Sequence, residues 1–226
     1  TWEAGAQGRW SAGGWRGEWS ISLYRSGIDN DLLLTAAPTR GRAFFQNIGQ
    51  SRRQGGEAQW SANKGAWAVK LGYAYVQAQC LSPFIANSPN NPGADDQGRI
   101  AIPAGAHLAG LPAHRGVASL AYASNGFTIE ASVQAQSHQW RMGDEANLDR
   151  PVAGFARLDV GTTWTLRPGL TAFVDMTNVL NRHYASFGTY AAIDGVHLQE
   201  VPNAVDTRAN TPSAPRRFMI GARLRR

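Results

Sequence analysis

The sequence predicts an all-β fold, an antiparallel up-and-down portion of a transmembrane β-barrel. Three observations support this prediction. Apolar and polar side chains alternate with a period of two, which places them on opposite faces of a strand. Several such segments reach about 11 residues, enough for a tilted strand to cross a bilayer. Finally, short turns alternate with long loops along the 226 residues, as in outer-membrane barrels with short periplasmic turns and long extracellular loops.

The period of two is clearest in 127–139 and 155–166. In the second segment Leu158 and Val160 alternate with Arg157 and Asp159. A membrane barrel directs its apolar face to lipid and its polar face to the lumen. We therefore expect Val160 to face lipid, and four charged residues of these and similar strands to face the lumen: Lys70, Glu130, Arg157 and Asp159.

Nine strands follow in order from this pattern: 1–12, 16–33, 43–62, 66–80, 113–124, 126–140, 154–167, 169–182 and 215–226. Four connections are short and contain Gly, Asn or Pro, the residues of tight hairpins; they lie at 12–15, 63–65, 124–126 and 167–169. The other four are long: 34–42, 81–112, 141–153 and 183–214. Because strands run alternately up and down, all the long loops lie at one end.

Composition excludes several classes of protein. The net charge is +6, with five Arg in the last 11 residues and the others scattered, and without a Lys-rich run or a basic helix no nucleic-acid partner is predicted. Cys80 is alone, which excludes a disulfide scaffold. No apolar run of ~18 residues could form a transmembrane helix. The five His are not spaced as metal ligands, and no nucleophile or phosphate-binding motif is present. We predict neither a cofactor nor enzymatic activity.

The long loops carry little positive charge. Counted over 35–42, 81–112, 142–153 and 183–214, they hold five Arg against eight Asp or Glu, a net charge of −3. Binding of an anionic ligand would therefore depend mainly on aromatic and hydrogen-bonding side chains. Asp144 and Glu145 could bind a cation, but the expectation for an acidic pair in a loop is exposure to solvent.

Five ordered stretches carry a resemblance to a known family: FFQNIGQSRRQGGE at 44–57, LPAHR at 111–115, RMGDEAN at 141–147, FVDMTNVLNRHYASFG at 173–188 and RFMIGARL at 217–224. With these motifs the chain resembles the C-terminal part of a TonB-dependent outer-membrane receptor. The resemblance implies that 1–226 forms about nine strands of a 22-strand-like barrel, with a plug domain that this chain does not contain.

The resemblance also implies a function and partners. The receptor would sit in outer-membrane lipid and actively take up a scarce ligand, most often a ferric siderophore and otherwise cobalamin, haem or a glycan. The TonB complex would supply energy through the plug. Two alternatives remain open on the residues alone, namely a passive porin or adhesin barrel and a soluble carbohydrate-binding β-sandwich.

Ligand contacts are expected where loops 141–150 and 183–197 meet at the extracellular mouth. Aromatic side chains and Arg provide much contact energy for the entropy they lose. The candidates are Trp140, Arg141, Tyr184, Phe187 and Tyr190. Trp140 and Tyr184 have an alternative role, in the aromatic belt that contacts lipid headgroups.

Overall fold

The computed structural model describes residues 1–37, 42–192 and 205–225. All regular elements in these ranges are β-strands. They are β1 (Trp2–Ala12), β2 (Trp15–Ile28), β3 (Leu32–Ala36), β4 (Ala43–Asn47), β5 (Ser51–Lys64), β6 (Trp67–Cys80), β7 (Phe84–Asn87), β8 (Arg99–Ile102), β9 (His114–Ser124), β10 (Phe127–Gln136), β11 (Phe155–Arg167), β12 (Leu170–Thr177), β13 (Ala185–Tyr190), β14 (Arg208–Pro212) and β15 (Arg217–Leu224). No helix in the described ranges could cross a membrane.

Nine of these strands form one antiparallel sheet. Their order is β1-β2-β5-β6-β9-β10-β11-β12-β15, so each long strand pairs with the next one along the chain. This is the predicted up-and-down meander, and one continuous sheet replaces the two packed sheets of the sandwich alternative. The short turns follow the sequence signals, since Gly13 and Gly14 have positive φ angles, as do Asn125 and Gly126.

Three further hairpins lie in the long loops. They pair β3 with β4, β7 with β8 and β13 with β14. The predictions that 16–33 and 43–62 are single strands, and that 81–112 and 183–214 lack strands, are therefore wrong. Asn30 and Gly49 adopt positive φ angles of 54° and 71°, which interrupt the two long segments and let the chain turn into its own hairpin.

Two predicted strands also end earlier than expected. β10 stops at Gln136, and beyond it only an isolated bridge joins Gln139 to Val152. β12 stops at Thr177 because Asn178 and Asn181 both have positive φ angles and leave the extended conformation. The amide of Asn178 then bonds the carbonyl of Arg182, which closes this turn.

The strand register separates two faces as predicted. Lys70, Ser119, Ser132 and Asp159 are directly paired across four strands and so share one face. Glu130 and Arg157 lie two positions away from that row and share the same face.

The opposite face carries a parallel apolar row, formed by Val69, Leu120, Ala131, Val160 and Met176. It also carries exposed aromatic side chains next to the short turns, among them Trp67, Phe127 and Trp164. These side chains have the positions of an interfacial belt.

The loops fold against the polar face, which identifies it as the inner wall. Asn178 donates its backbone N–H to Asp159 at 2.8 Å. Above this wall, Ile48 and Leu108 from the loops pack on Ala78 and Cys80, the inner residues at the loop end of β6. A second cluster lies within the loops and contains Ala86, Ile100, Ile102, Ala106 and Ala146. The buried core therefore lies at the loop end of the sheet.

Candidate binding site in the long loops

Two long loops are joined by an ion pair centred on Asp149. The guanidinium of Arg208 donates to both carboxylate oxygens of Asp149, at 2.6 and 2.7 Å. The hydroxyl of Tyr190 donates to the same carboxylate at 2.9 Å. Arg208 is oriented by a second carboxylate, Asp206, at 3.0 Å. A bidentate Arg–carboxylate pair fixes both distance and orientation, so loop 141–153 is tied to the end of hairpin β13–β14 where β13 stops and β14 begins.

These contacts shift the pKa values of Asp149 and Tyr190 in opposite directions. The hydrogen bonds from Arg208 hold the pKa of Asp149 well below its ordinary value. Burial raises the pKa of Tyr190, and its hydrogen bond to Asp149 raises it further. Asp149 is therefore charged and Tyr190 is neutral across the physiological range.

Arg141 lies inside the joined loops and is only 4% exposed. It donates to the carbonyl oxygen of Arg150 and, at 3.2 Å, to the side chain of Asn210. Its guanidinium is also 3.8 Å from Asp149. Within the described ranges its Nε has no hydrogen-bond partner. Arg141 thus helps to hold 149–150 against β14, and its buried Nε–H donor has no acceptor among the described residues.

Asp144 and Glu145 are buried, and the expectation that this acidic pair is solvated is wrong. Asp144 accepts the backbone N–H groups of Leu148 and Asp149, at 3.0 and 3.1 Å. Glu145 accepts the N–H of Gly143 at 3.0 Å. Burial raises the pKa of both carboxyl groups. They stabilise a tight turn by accepting backbone donors. The described residues contain no cluster of three or more His, Cys, Asp or Glu that could hold a metal.

The loop that contains β7 and β8 is bonded to the same turn. Ser88 and Asn91 both donate to the carbonyl of Gly143 at 2.7 Å. Thr207 donates to the carbonyl of Asn90 at 2.6 Å. Three of the four long loops therefore form one bonded layer above the inner wall.

The fold and this layer of loops agree with one known family. The family model described as the β-barrel of TonB dependent receptor-like proteins matches residues 1–179. The chain belongs to this TonB-dependent receptor family. Comparison with curated proteins gives no match.

Solved receptor structures share the fold. The siderophore receptor PiuA from Acinetobacter baumannii superimposes with a TM-score of 0.67 at 14% identity, covering 98% of this chain and 28% of that receptor. The copper transporter OprC gives 0.65 at 15% identity, covering 98% of this chain and 30% of OprC. The ferric yersiniabactin receptor FyuA from Yersinia pestis gives 0.65 at 12%, covering 98% and 29%. The chain thus spans less than a third of these receptors, and identities this low establish the fold alone.

In this TonB-dependent receptor chain the five candidate residues occupy different environments. Phe187 is the most open, at 39% exposed. Trp140 is half-buried, with its ring centroid 6.4 Å from that of His138. Tyr184 stacks on Phe155 at 3.9 Å.

The register assigns Phe155 to the inner face, so the stack holds Tyr184 towards the lumen, away from the outer belt. Arg141 and Tyr190 belong to the network around Asp149. The part of loop 183–197 beyond residue 192 lies outside the described residues.

Sequence reasoning missed Asp149 and Arg208 as parts of this site. Both entered only as loop charges, because a pair separated by 59 positions has no local pattern. The only available signal was their opposite charge in two loops predicted to share one end of the barrel.

Proposed function

We propose that this chain is part of an outer-membrane receptor that takes up a ferric siderophore. The TonB complex would supply the energy through a plug domain outside these residues. The observation that carries the proposal is the bonded layer of three long loops over a polar inner wall, in a chain of the TonB-dependent receptor family. Such a layer presents a fixed, shaped surface at the mouth of a barrel.

The loop layer favours a receptor over a passive pore. The bidentate pair between Arg208 and Asp149 and the buried Arg141 fix loops that an open channel could leave mobile. Preorganised surfaces lose less entropy when they bind a ligand. PiuA, named as a siderophore receptor, and FyuA, named as a ferric yersiniabactin uptake receptor, share this fold, as does a copper transporter. The fold is therefore compatible with more than one metal-containing ligand.

We assign different ligand roles to the five candidates. Phe187 and Trp140 offer accessible aromatic surface and would contact the ligand directly. Tyr184 would contribute through its stack on Phe155 at the inner wall. Arg141 and Tyr190 would act by positioning the loops, and a ligand acceptor that reached Arg141 Nε would complete its hydrogen bonding.

Growth under iron limitation tests the proposal. The receptor gene that encodes this chain is deleted and then restored in a strain unable to make its own siderophores. Growth is measured with ferric citrate, a ferric tris-catecholate or a ferric hydroxamate as the sole iron source. We expect the gene to be required for at least one of these sources, and uptake of that source to be lost when TonB is deleted.

The same strains distinguish the alternatives. A requirement only for cobalamin, haem, a glycan or copper would replace the siderophore with that ligand. Entry of small solutes that persists without TonB would identify a passive pore. Either outcome overturns the proposal as stated.

A further inference from the structure

Two side chains of β11 hold Tyr184 against the inner wall. The ring of Tyr184 stacks on Phe155, with ring centroids 3.9 Å apart and an interplanar angle of 18°. The hydroxyl of Tyr184 lies beside the guanidinium of Arg157, which follows Phe155 on the same face of the strand. Stacking alone allows a ring to slide and to rotate in its own plane. The contact with Arg157 therefore fixes the direction of the hydroxyl.

The guanidinium of Arg157 is itself fixed. Its Nε and Nη2 lie 3.0 and 2.8 Å from one carboxylate oxygen of Asp159. Nη2 also donates to the side-chain oxygen of Gln134 at 3.2 Å. Because the donors of a guanidinium lie in one rigid plane, Arg157 cannot turn away from Tyr184 without breaking these contacts.

The second carboxylate oxygen of Asp159 has a different task. It accepts the backbone N–H of Asn178 at 2.8 Å. The side-chain amide of Asn178 donates to the carbonyls of Arg182 and Ala214, at 2.9 and 3.1 Å, which lie just outside the two ends of hairpin β13–β14. The base of the hairpin is thus closed without Arg157, so the orientation of Tyr184 can be changed separately from the docking of the hairpin.

The stacked pair borders an open hollow of ≈ 830 Å³ in the inner wall. Phe155 lines the β11 side of this hollow, and polar side chains that include Arg115, Gln134 and Gln136 line it as well. A guanidinium has donors only, so it donates to the phenol oxygen of Tyr184 and leaves the O–H for another acceptor. Donation to the phenol oxygen also polarises the group and strengthens its O–H as a donor.

We propose that Arg157 is a positioning residue for ligand uptake. It holds the hydroxyl of Tyr184 so that the O–H donates to an iron-binding oxygen of the ligand, whether that oxygen belongs to a hydroxamate, a carboxylate or a catecholate. The inference rests on the proposed uptake of a ferric siderophore, and it adds a contact through which the inner wall takes part in recognition.

Fluorine NMR of the purified receptor measures the positioning without a ligand. 3-Fluorotyrosine is incorporated at position 184 alone, and its resonance is compared in the native receptor, Arg157→Met and Arg157→Lys. We expect Arg157→Met to shift and broaden the resonance, because the ring then keeps only its stack on Phe155. Lys supplies a cation without the planar set of donors, so Arg157→Lys should restore the native resonance only in part.

Binding of iron-55 complexes to whole cells measures the consequence for uptake. The probes are ferric citrate, a ferric tris-catecholate and a ferric hydroxamate. For the probe that the native receptor binds, Tyr184→Phe and Arg157→Met should each weaken binding by about tenfold. The double variant should also lose about tenfold rather than about a hundredfold, because Arg157 acts through the hydroxyl of Tyr184.

Arg217→Met is the matched control. Met176 and Phe218 pair on the outer face, so the exposed Arg217 lies on the inner face of β15. Its substitution removes the same charge from the lumen and should change neither the resonance nor the binding. Amide exchange in 185–190 and 208–212 should stay the same in every variant, since Asn178 and Arg208 hold the hairpin.

Three results would overturn the positioning role of Arg157. They are an unchanged fluorotyrosine resonance in Arg157→Met, additive losses of binding in the double variant, and faster exchange in the hairpin of Arg157→Met, which would make the role of Arg157 structural. A native receptor that binds none of the three complexes would overturn the proposed uptake function instead. The fluorine resonance would still decide whether Arg157 positions Tyr184.

Discussion

Asp149 and Arg208 are 59 positions apart in the chain, yet Nε and Nη2 of Arg208 lie 2.6 and 2.7 Å from the two carboxylate oxygens of Asp149. The side chain of Asp149 is 11% exposed and that of Arg208 is 25% exposed. This pair joins the turn that contains Asp144 to hairpin β13–β14, and Tyr190 completes the coordination of the carboxylate. With the bonds from Arg141 to Asn210 and from Thr207 to Asn90, it fixes the geometry of the loop layer.

Replacing Asp149 with Asn should loosen the loop layer without unfolding the barrel. The substitution removes a charge-assisted bidentate contact, so we expect amide hydrogen exchange in 143–152 to accelerate by about tenfold. Exchange in the long strands should not change. Asp96→Asn, which alters an exposed loop carboxylate, is the matched control. Equal acceleration in both variants would show that the pair with Arg208 does not hold the loops.

The same pair predicts a pH dependence. Because the pKa of Asp149 is lowered in the folded protein, its contribution to stability is complete above the ordinary value of about 4. It is lost only as the pH falls below that value towards the lowered pKa. Asp144 and Glu145 lie in the same segment and have raised pKa values, so the native protein is compared with Asp149→Asn, in which both are retained. The difference in exchange protection of 143–152 between the two proteins should be constant from neutrality down to about pH 5. A difference that shrinks between pH 7 and pH 5 would mean that the pair with Arg208 is not what sets it.

The two faces of β11 should respond differently to a new charge. Val160 lies on the outer apolar row and Thr163 on the inner face of the same strand. Val160→Arg places a cation in lipid and should cost about 2–4 kcal/mol of unfolding free energy near the bilayer centre, with a smaller cost for Thr163→Arg. Unfolding of the receptor in lipid vesicles by denaturant measures both. Asp159 is a poor comparison, because it is bonded to Arg157 and to Asn178. A greater cost at Thr163 would reverse the assignment of the faces.

Cysteine labelling of intact cells should establish which end faces outward. Cys80 is fully buried and can be replaced by Ala to give an unreactive background. Gln97→Cys in the exposed turn before β8 should react with a membrane-impermeant maleimide, and Pro168→Cys in a short turn should react only after the cells are opened. Labelling of Pro168→Cys alone in intact cells would invert the topology.

Phe187 should contribute to binding of whichever ferric siderophore restores growth. Its exposed ring in the loop layer is expected to become buried against the ligand. Phe187→Ala should therefore weaken binding of the ferric siderophore to whole cells by about tenfold, or ~1.4 kcal/mol. Receptor abundance should not fall. Phe45→Ala removes an aromatic ring that is 68% exposed on another loop hairpin and serves as the control. Unchanged affinity for Phe187→Ala would remove this residue from the site.

The sequence alone determined the meander and the two faces of its strands. The alternation of polar and apolar side chains, as at Asp159 and Val160, is a local property of the sequence with a period of two. It predicts the same two faces in any fold that keeps one face of the strand in lipid. The turns at Gly13 and Asn125 are equally local, since only a few residue types adopt positive φ at low cost. These signals sufficed to predict the nine segments that pair in the sheet, although not the ends of all of them, and to predict that the long loops share one end.

Only the tertiary structure decided how the loops are built. The hairpin of β3 and β4 depends on pairing between segments that look like continuations of β2 and β5. Arg141 looks like an exposed cation, but its burial requires Arg150, Asn210 and Asp149 to converge on it. A contact such as that between Arg141 and Asn210, 69 positions apart, follows from the order of strands around the barrel, which sets the loops side by side. The local periodicity of the sequence does not indicate which loops are neighbours.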